Sequence, residues 1–260
     1  MKRILFFMFP SLGDARLIVK IKNKDLEELC PNNWARALVV SQFMEYVLPL
    51  IDRTKVCRIA IIGGTNLEPE LALMQKKGIS CHIEYFGIES GNHLDLNEFN
   101  PINLEKFDLI LCSQVFEHIW NHSSAIQNLE NLLCDGGLLW LAAPASNRAH
   151  GSPSYYSAGY TSGYLSHNLE QFSFQILREG QIGSRRNYIA LHVLPTWLSF
   201  KAHRNPVLFA FSEYSPVKRA FLRIRFFHWA LALMLISGKI SNSSRVASES
   251  WALAQKLNNS

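Results

Sequence analysis

The stretch that most constrains this chain is residues 58–66, RIAIIGGTN. Ile59, Ala60, Ile61 and Ile62 form an unbroken apolar run, the pattern of a strand buried on both faces, as in a parallel sheet. Gly63 and Gly64 end it. Paired glycines turn sharply and let the backbone come close to a ligand. Leu67, Leu71, Leu73 and Met74 follow at roughly helical spacing and predict an apolar helix face. Strand, turn and helix make the first half of a βαβ unit. Open α/β sheets bind ligands beyond the carboxyl ends of their strands. On this stretch alone, a βα corner without a ligand reads equally well.

The neighbouring segments extend the alternation. Pro31-Asn32-Asn33 marks a helix start, and Trp34 to Ile51 carries Leu38, Val39, Phe43, Tyr46, Val47 and Leu50 at helical spacing. Gly78 is a helix stop. Ser80 to Ile88 reads as a second strand ending at Glu89, whose carboxylate can accept hydrogen bonds from two neighbouring hydroxyls, as on a ribose. Asp95 offers a second carboxylate near the same edge. Phe107 to Cys112 is a further strand, followed by Ser113 and Gln114. Asn121 or Ser123 can cap a helix running to Leu133, with Ile126, Leu129, Leu132 and Leu133 on one face. Asp135-Gly136-Gly137 signals a turn, and residues 138–142 form a buried strand stopped by Pro144. Ser166 to Glu179 reads as a helix closed by Gly180. Residues 182–189 and 207–211 are the expected last two strands.

Charge is uneven along the chain. The net charge of +5 divides into −4 for residues 1–179 and +9 for residues 180–260. This bears on what the far end touches, not on the fold. Five scattered cysteines without a CxxC pair predict reduced core thiols in a cytoplasmic protein. The apolar start, Met1 to Pro10, is short and lacks a small-residue cleavage site, which argues against a signal peptide.

Taken together, these segments resemble class I S-adenosylmethionine-dependent methyltransferases. FDLILCSQVFEHI is similar to the family's fourth strand and the segment after it. LLCDGGLLWLAAP is similar to the element that leads into and forms strand five. RIAIIGG resembles motif I, and YFGIE the acidic end of strand two. The resemblance covers roughly residues 55–185. Motif I departs from the family pattern: Ile61 stands at the usual acidic position, and Thr65 and Leu67 replace the second and third glycines.

The resemblance implies a Rossmann-like α/β fold, with a mostly parallel seven-stranded sheet and an antiparallel edge strand. It implies S-adenosyl-L-methionine as cofactor. Gly63, Gly64 and Thr65 would line its methionine and ribose part, and Glu89 would hold the ribose diol. Asp95 and Leu96 would lie near the adenine, and Ser113 and Gln114 would flank the sulfonium side. Methyl transfer needs mainly proximity, with a base only where the acceptor must lose a proton. His118 is the candidate base. His122, four residues on, suggests no metal, because a third ligand is missing. The Tyr- and Gly-rich loop with His150, Tyr155, Tyr156 and Tyr160 is the expected acceptor-binding segment, and Arg148 or His150 would meet an anionic acceptor.

The expected organisation is an N-terminal extension and covering helix over residues 1–54, a methyltransferase domain over 55–212, and a basic, apolar extension over 213–260. Within the last, Lys218, Arg219, Arg223 and Arg225 precede an apolar run too short to span a membrane. Three readings stand for residues 217–240: a buried helix, a partner or self-association surface, and a helix lying peripherally on an anionic membrane. No nucleic acid is expected. Residues 241–260 read as a polar tail. The expected activity is methylation of a small-molecule or saccharide-like acceptor; the alternative is a non-catalytic, methyltransferase-like binding or scaffold protein.

Overall fold

The computed structural model describes residues 24–30, 34–64, 66–87, 92–99, 105–146, 154–182 and 249–258. Two helices, α1 (Lys24–Leu29) and α2 (Trp34–Tyr46), precede strand β1 (Cys57–Ile62). Then come α3 (Pro69–Lys76), β2 (Cys81–Gly87), the two-residue β3 (Asn92–His93) and β4 (Phe107–Ser113). A 3-10 turn (Phe116–His118) leads to α4 (His122–Leu132), β5 (Leu133–Pro144), α5 (Ser162–Glu170) and β6 (Phe174–Ile182), and β7 (Glu249–Lys256) closes the series.

The seven strands form one sheet in the order β3-β2-β1-β4-β5-β7-β6. The pairs from β3 to β5 are parallel. β7 runs antiparallel to both β5 and β6, one place in from the sheet's end. The Rossmann-like α/β class expected from the sequence is borne out. Both faces of the sheet are covered, which is why β1 and β4 read as continuous apolar runs rather than alternating ones. On one face Phe43 of α2 meets Trp140 of β5 edge-on at 5.6 Å, with Leu71, Leu73 and Met74 of α3 beside them. On the other, Ile126 and Leu129 of α4 and Leu165 and Leu169 of α5 pack on Phe107 and Leu139.

Helix α4 begins as expected: the Asn121 side chain accepts from the Ser124 backbone N–H. Four expectations need correction. Leu67 is not on the helix face; it lies outside α3 and is 82% exposed. Asp135-Gly136-Gly137 is no free turn but an irregular stretch inside β5, beside the register shift at Phe107, and Gly136 takes φ +77° there. The helix expected over residues 166–179 is a shorter helix, α5, capped by Thr161, followed by strand β6. Its far half became a strand because β7 offers it a full antiparallel ladder from Phe174 to Ile182.

The fourth correction concerns β7 itself. Residues 249–256 are an interior strand, not part of a polar tail, with five consecutive fully buried positions from Ser250 to Ala254. Trp251 stacks on Trp140 at 5.2 Å and on Tyr46 at 5.6 Å. Gly180 of β6 faces that indole so closely that a Cβ would lie 2.8 Å from it. The expected strands over 182–189 (beyond Ile182) and 207–211, and the basic segment 217–240, lie outside the described residues. The five cysteines are free thiols, with Cys30, Cys57 and Cys112 buried and Cys81 and Cys134 half-buried.

Candidate functional site

The strand order reverses between β1 and β4, so the crevice of the sheet opens at their carboxyl ends. Gly63 stands there, exposed, with φ +66°, and its N–H donates to the Phe86 carbonyl at 2.8 Å. Any side chain at Gly63 would be strained, and its Cβ would meet a Val115 methyl at 2.7 Å. A Cβ at Gly64 would lie 2.6 Å from the Glu68 carboxylate. Val115 and Glu68 thus pack directly on the glycine turn. At the end of β4 the Ser113 hydroxyl is buried without a hydrogen-bond partner among the described residues. Gln114 takes φ +58°, a left-handed conformation uncommon outside glycine. Two bonds hold it: its N–H donates to the Ala142 carbonyl and its Nε2 to Glu249 Oε2, both at 2.8 Å.

Behind this turn lies a cluster of buried charge. Arg36 of α2 donates at 2.7 Å to Glu68 and at 2.7 Å to Glu70. Glu70 and Glu117 are almost wholly buried, and Glu249 stands half-buried at the start of β7. Burial pushes the Glu249 carboxyl up to about 7, although the Gln114 bond and Arg36 pull the other way. Burial likewise raises Glu70 against the pull of Arg36. Burial acts to lower the Arg36 pKa, but Glu70 and Glu68 outweigh it. Three carboxyl groups, Glu68, Glu70 and Glu249, therefore act on one guanidinium, and the charge of Glu117 reaches Glu249. Buried anions are costly, and burial is the largest cause of the raised Glu70 and Glu249 values, with Arg36 opposing it only in part. The arrangement suits a cationic ligand.

Glu68, Arg36 and Glu249 were missed in the sequence. Arg36 sits mid-helix and Glu249 lies at the other end of the chain, so no spacing rule connects them. Glu68 carried a weak signal, an acidic residue immediately before the Pro69 that opens a helix.

Among the residues expected in the cofactor site, Gly63, Gly64, Ser113 and Gln114 come together at the crevice. Asp95 forms a local turn, its Oδ1 accepting from the Asn97 backbone N–H at 2.9 Å and from the Asn97 side chain at 3.1 Å. Leu96 is buried in the core with Phe86. Asn97 then accepts from the Trp120 N–H at 2.9 Å and ties this edge to the loop after β4. Thr65, Glu89, Arg148 and His150 lie outside the described residues.

The loop after β5 folds over the 3-10 turn that follows β4. The backbone N–H of Tyr156 donates to the Glu117 carbonyl at 2.8 Å. His118 places Nδ1 2.5 Å from the Ser154 carbonyl and meets Tyr155 edge-on at 5.9 Å. His118 thereby holds the loop through one ring nitrogen. Burial and the nearby Glu117 raise the Tyr155 phenol. Tyr160 is buried and donates to the Phe116 carbonyl at 3.0 Å, whereas Tyr156 is 54% exposed. A hollow of about 550 Å³ opens beside this loop, walled by Trp120, His122, Tyr156, Tyr160 and Tyr164. A second hollow, of about 230 Å³, is lined by Cys57, Asp108 and Gly137 at the amino ends of the strands, the edge opposite the crevice.

Residues 61–141 match the family model described as a methyltransferase domain, so the sequence resemblance is borne out over that stretch. The chain is also similar to a ubiquinone biosynthesis O-methyltransferase of Glaesserella parasuis serovar 5, with 31% identity over 94 residues, covering 32% of this chain. The match spans 36% of that relative's length. Among solved structures, an O-methyltransferase from a trans-AT polyketide synthase multienzyme of Brevibacillus brevis, in complex with S-adenosyl-L-homocysteine, aligns with a TM-score of 0.48 at 13% identity over 96% of this chain and 81% of that one. A SAM-dependent methyltransferase from Archaeoglobus fulgidus aligns with a TM-score of 0.44 at 14% identity, over 88% of this chain and 97% of that one.

Proposed function

From a chain whose residues 61–141 match a methyltransferase domain, we propose an S-adenosylmethionine-dependent methyltransferase acting on a small-molecule acceptor. The observation that carries the reading is the charge at the switch point: three carboxyls, Glu68, Glu70 and Glu249, act on Arg36, with Glu249 pushed up to about 7. S-adenosylmethionine, with an ammonium and a sulfonium, is the kind of ligand such a cluster lacks, and when bound it supplies a methyl group already activated for displacement.

The residues present fit that group. The exposed backbone at Gly63 leaves room for close approach, and the buried Ser113 hydroxyl, without a partner among the described residues, is open to a polar contact. Gly63, Gly64, Ser113 and Gln114 would line its site, with Thr65 and Glu89 carried over from the family resemblance. Glu68, lying over Gly64, supplies the carboxylate that Ile61 does not. Arg36 fixes that carboxylate in place, so little ordering remains to be done on binding. Asp95 serves the adenine edge through the turn it shares with Asn97. The loop held by His118 and Glu117 forms the acceptor wall with Tyr155, Tyr156 and Tyr160, and keeps water from the reacting groups. His118, the base expected from the sequence, turns Nδ1 to the Ser154 carbonyl and holds this loop beside the acceptor wall.

Binding calorimetry with S-adenosylhomocysteine tests the reading. A micromolar dissociation constant, about −8 kcal/mol, supports it. One observation favours the second reading, a non-catalytic methyltransferase-like protein: Val115 and Glu68 pack on the glycine turn. Absence of binding at millimolar ligand selects that second reading. Vesicle co-sedimentation with and without residues 217–240 tests peripheral membrane contact; equal partitioning rejects it. Among the described residues no helix is long and apolar enough to cross a membrane.

A further inference from the structure

The hollow beside the loop after β5 has an unusual wall. Trp120, Tyr156 and Tyr164 are large aromatic side chains exposed by 60%, 54% and 41% on its rim. No Lys, Arg, Asp or Glu side chain lines it among the described residues. Tyr160 and Tyr164 stack at 5.3 Å, and the His122 ring stands nearly perpendicular to both, itself stacked on Phe116 at 5.4 Å. Such a wall suits a planar ring and offers an anion no charged partner among the described residues.

The hydrogen bonds fix which nitrogen of His122 carries the proton. Tyr160 has one hydroxyl proton, and the Phe116 carbonyl at 3.0 Å can only accept it. The 3.0 Å contact between Tyr160 Oη and His122 Nε2 then requires Nε2–H to be the donor. A second contact, from Nε2 to the Phe116 carbonyl at 3.4 Å, agrees. Nδ1 is left as an acceptor, and Tyr164 Oη lies 3.2 Å from it. Burial lowers the His122 pKa, which keeps the ring neutral at neutral pH, while the Phe116 carbonyl favours the protonated form. The titratable groups around it are Tyr156, Tyr160 and Tyr164, with the field of Glu117 reaching Tyr160.

We propose, resting on the methyltransferase reading above, that this hollow receives an acceptor bearing an aromatic hydroxyl, and that Tyr164 and His122 together take its proton. The acceptor O–H gives its proton to Tyr164 Oη as the Tyr164 proton passes to His122 Nδ1. The acceptor oxygen is left as a phenolate, and the new imidazolium keeps Nε2–H on Phe116 and Tyr160. The acidity favours this class. An imidazole relieves a phenol, whose pKa is near that of tyrosine at about 10, more readily than an alkyl alcohol, which is far less acidic. His122 and Tyr164 both line the hollow, whereas His118 is tied to the loop through Ser154.

The test uses p-nitrophenol as the probe, on the full chain, with and without saturating S-adenosylhomocysteine. Its phenolate absorbs visibly, so ionisation in the bound state is read directly by pH titration. The expected result is saturable binding, with the bound probe ionising at lower pH than the free one. Tyr164→Phe should keep the binding, because the ring remains, and lose the ionisation shift. His122→Gln should lose the shift with Tyr164 still present. The proposal is overturned if the probe does not bind saturably, if its bound pKa equals or exceeds the free value, or if Tyr164→Phe retains the shift. Calorimetric failure of S-adenosylhomocysteine to bind would instead strike the methyltransferase reading, and leaves the probe result to stand or fall separately.

Discussion

At the scale of single residues, the crevice is governed by where carboxylates stand. Glu68 occupies the helix start before α3, yet its side chain makes no capping bond there and turns instead to Gly64 and Arg36. If it holds the ammonium end of the cofactor, Glu68→Gln should weaken S-adenosylhomocysteine by about tenfold or more, the scale of one lost charged hydrogen bond. Binding of 5′-methylthioadenosine, which lacks the amino-acid end, should be unchanged. Equal loss for both ligands in calorimetry would rule out this role for Glu68.

Glu249 makes a separate prediction for stability. Its folded pKa, about 7, lies above the ordinary 4.5, so the folded chain binds the extra proton between those values. Stability from this group is present below pH 4.5 and is lost as pH rises towards 7. The loss is of the order of 3 kcal/mol. Urea unfolding at pH 5 and pH 8 measures it, and Glu249→Gln should flatten the difference. A wild-type chain equally stable at both pH values would show that Glu249 titrates normally.

At the scale of elements, β7 decides the most. It lies between β5 and β6, so those two strands do not meet without it. Trp251 joins it to both Trp140 and Tyr46. Trp251→Ala should cost about 3–5 kcal/mol, the range for removing a buried tryptophan. Chemical denaturation gives the figure, and a cost below about 1 kcal/mol, as for a surface substitution, would contradict the interior position. The same strand carries Glu249 to Gln114 and braces the left-handed backbone there. Damage to β7 should therefore reach the crevice as well as the core.

At the scale of the whole molecule, the charge cluster is assembled from distant parts: Arg36 before the sheet begins, Glu68 and Glu70 after β1, Glu117 after β4, and Glu249 in the last strand. A cationic ligand placed among them would lower the raised carboxyl pKa values and drive protons out. Binding near pH 7 should release protons. Calorimetry in buffers of different ionisation enthalpy detects this, because the apparent heat then changes with the buffer. An apparent heat independent of buffer would mean that the carboxyls do not sense the ligand.

By itself the sequence determined the α/β alternation, the buried character of β1, β4 and β5, the glycine turn, and the Asn121 cap. These are local: an apolar run, a residue free of Cβ and a short polar side chain act on neighbours in the chain. Tertiary structure alone decided the rest. Residues 166–179 carry a pattern that reads as a helix, and only the ladder offered by β7 makes a strand of the part from Phe174 on. β7 looks like a tail because its flanks are polar, and its burial depends on two strands far away in sequence. Glu68 reaches Gly64 across the turn from Ile61 and is held by Arg36 from another helix. A pairing made through space leaves no period or spacing along the chain, because either partner's position is set by the sheet rather than by its neighbours.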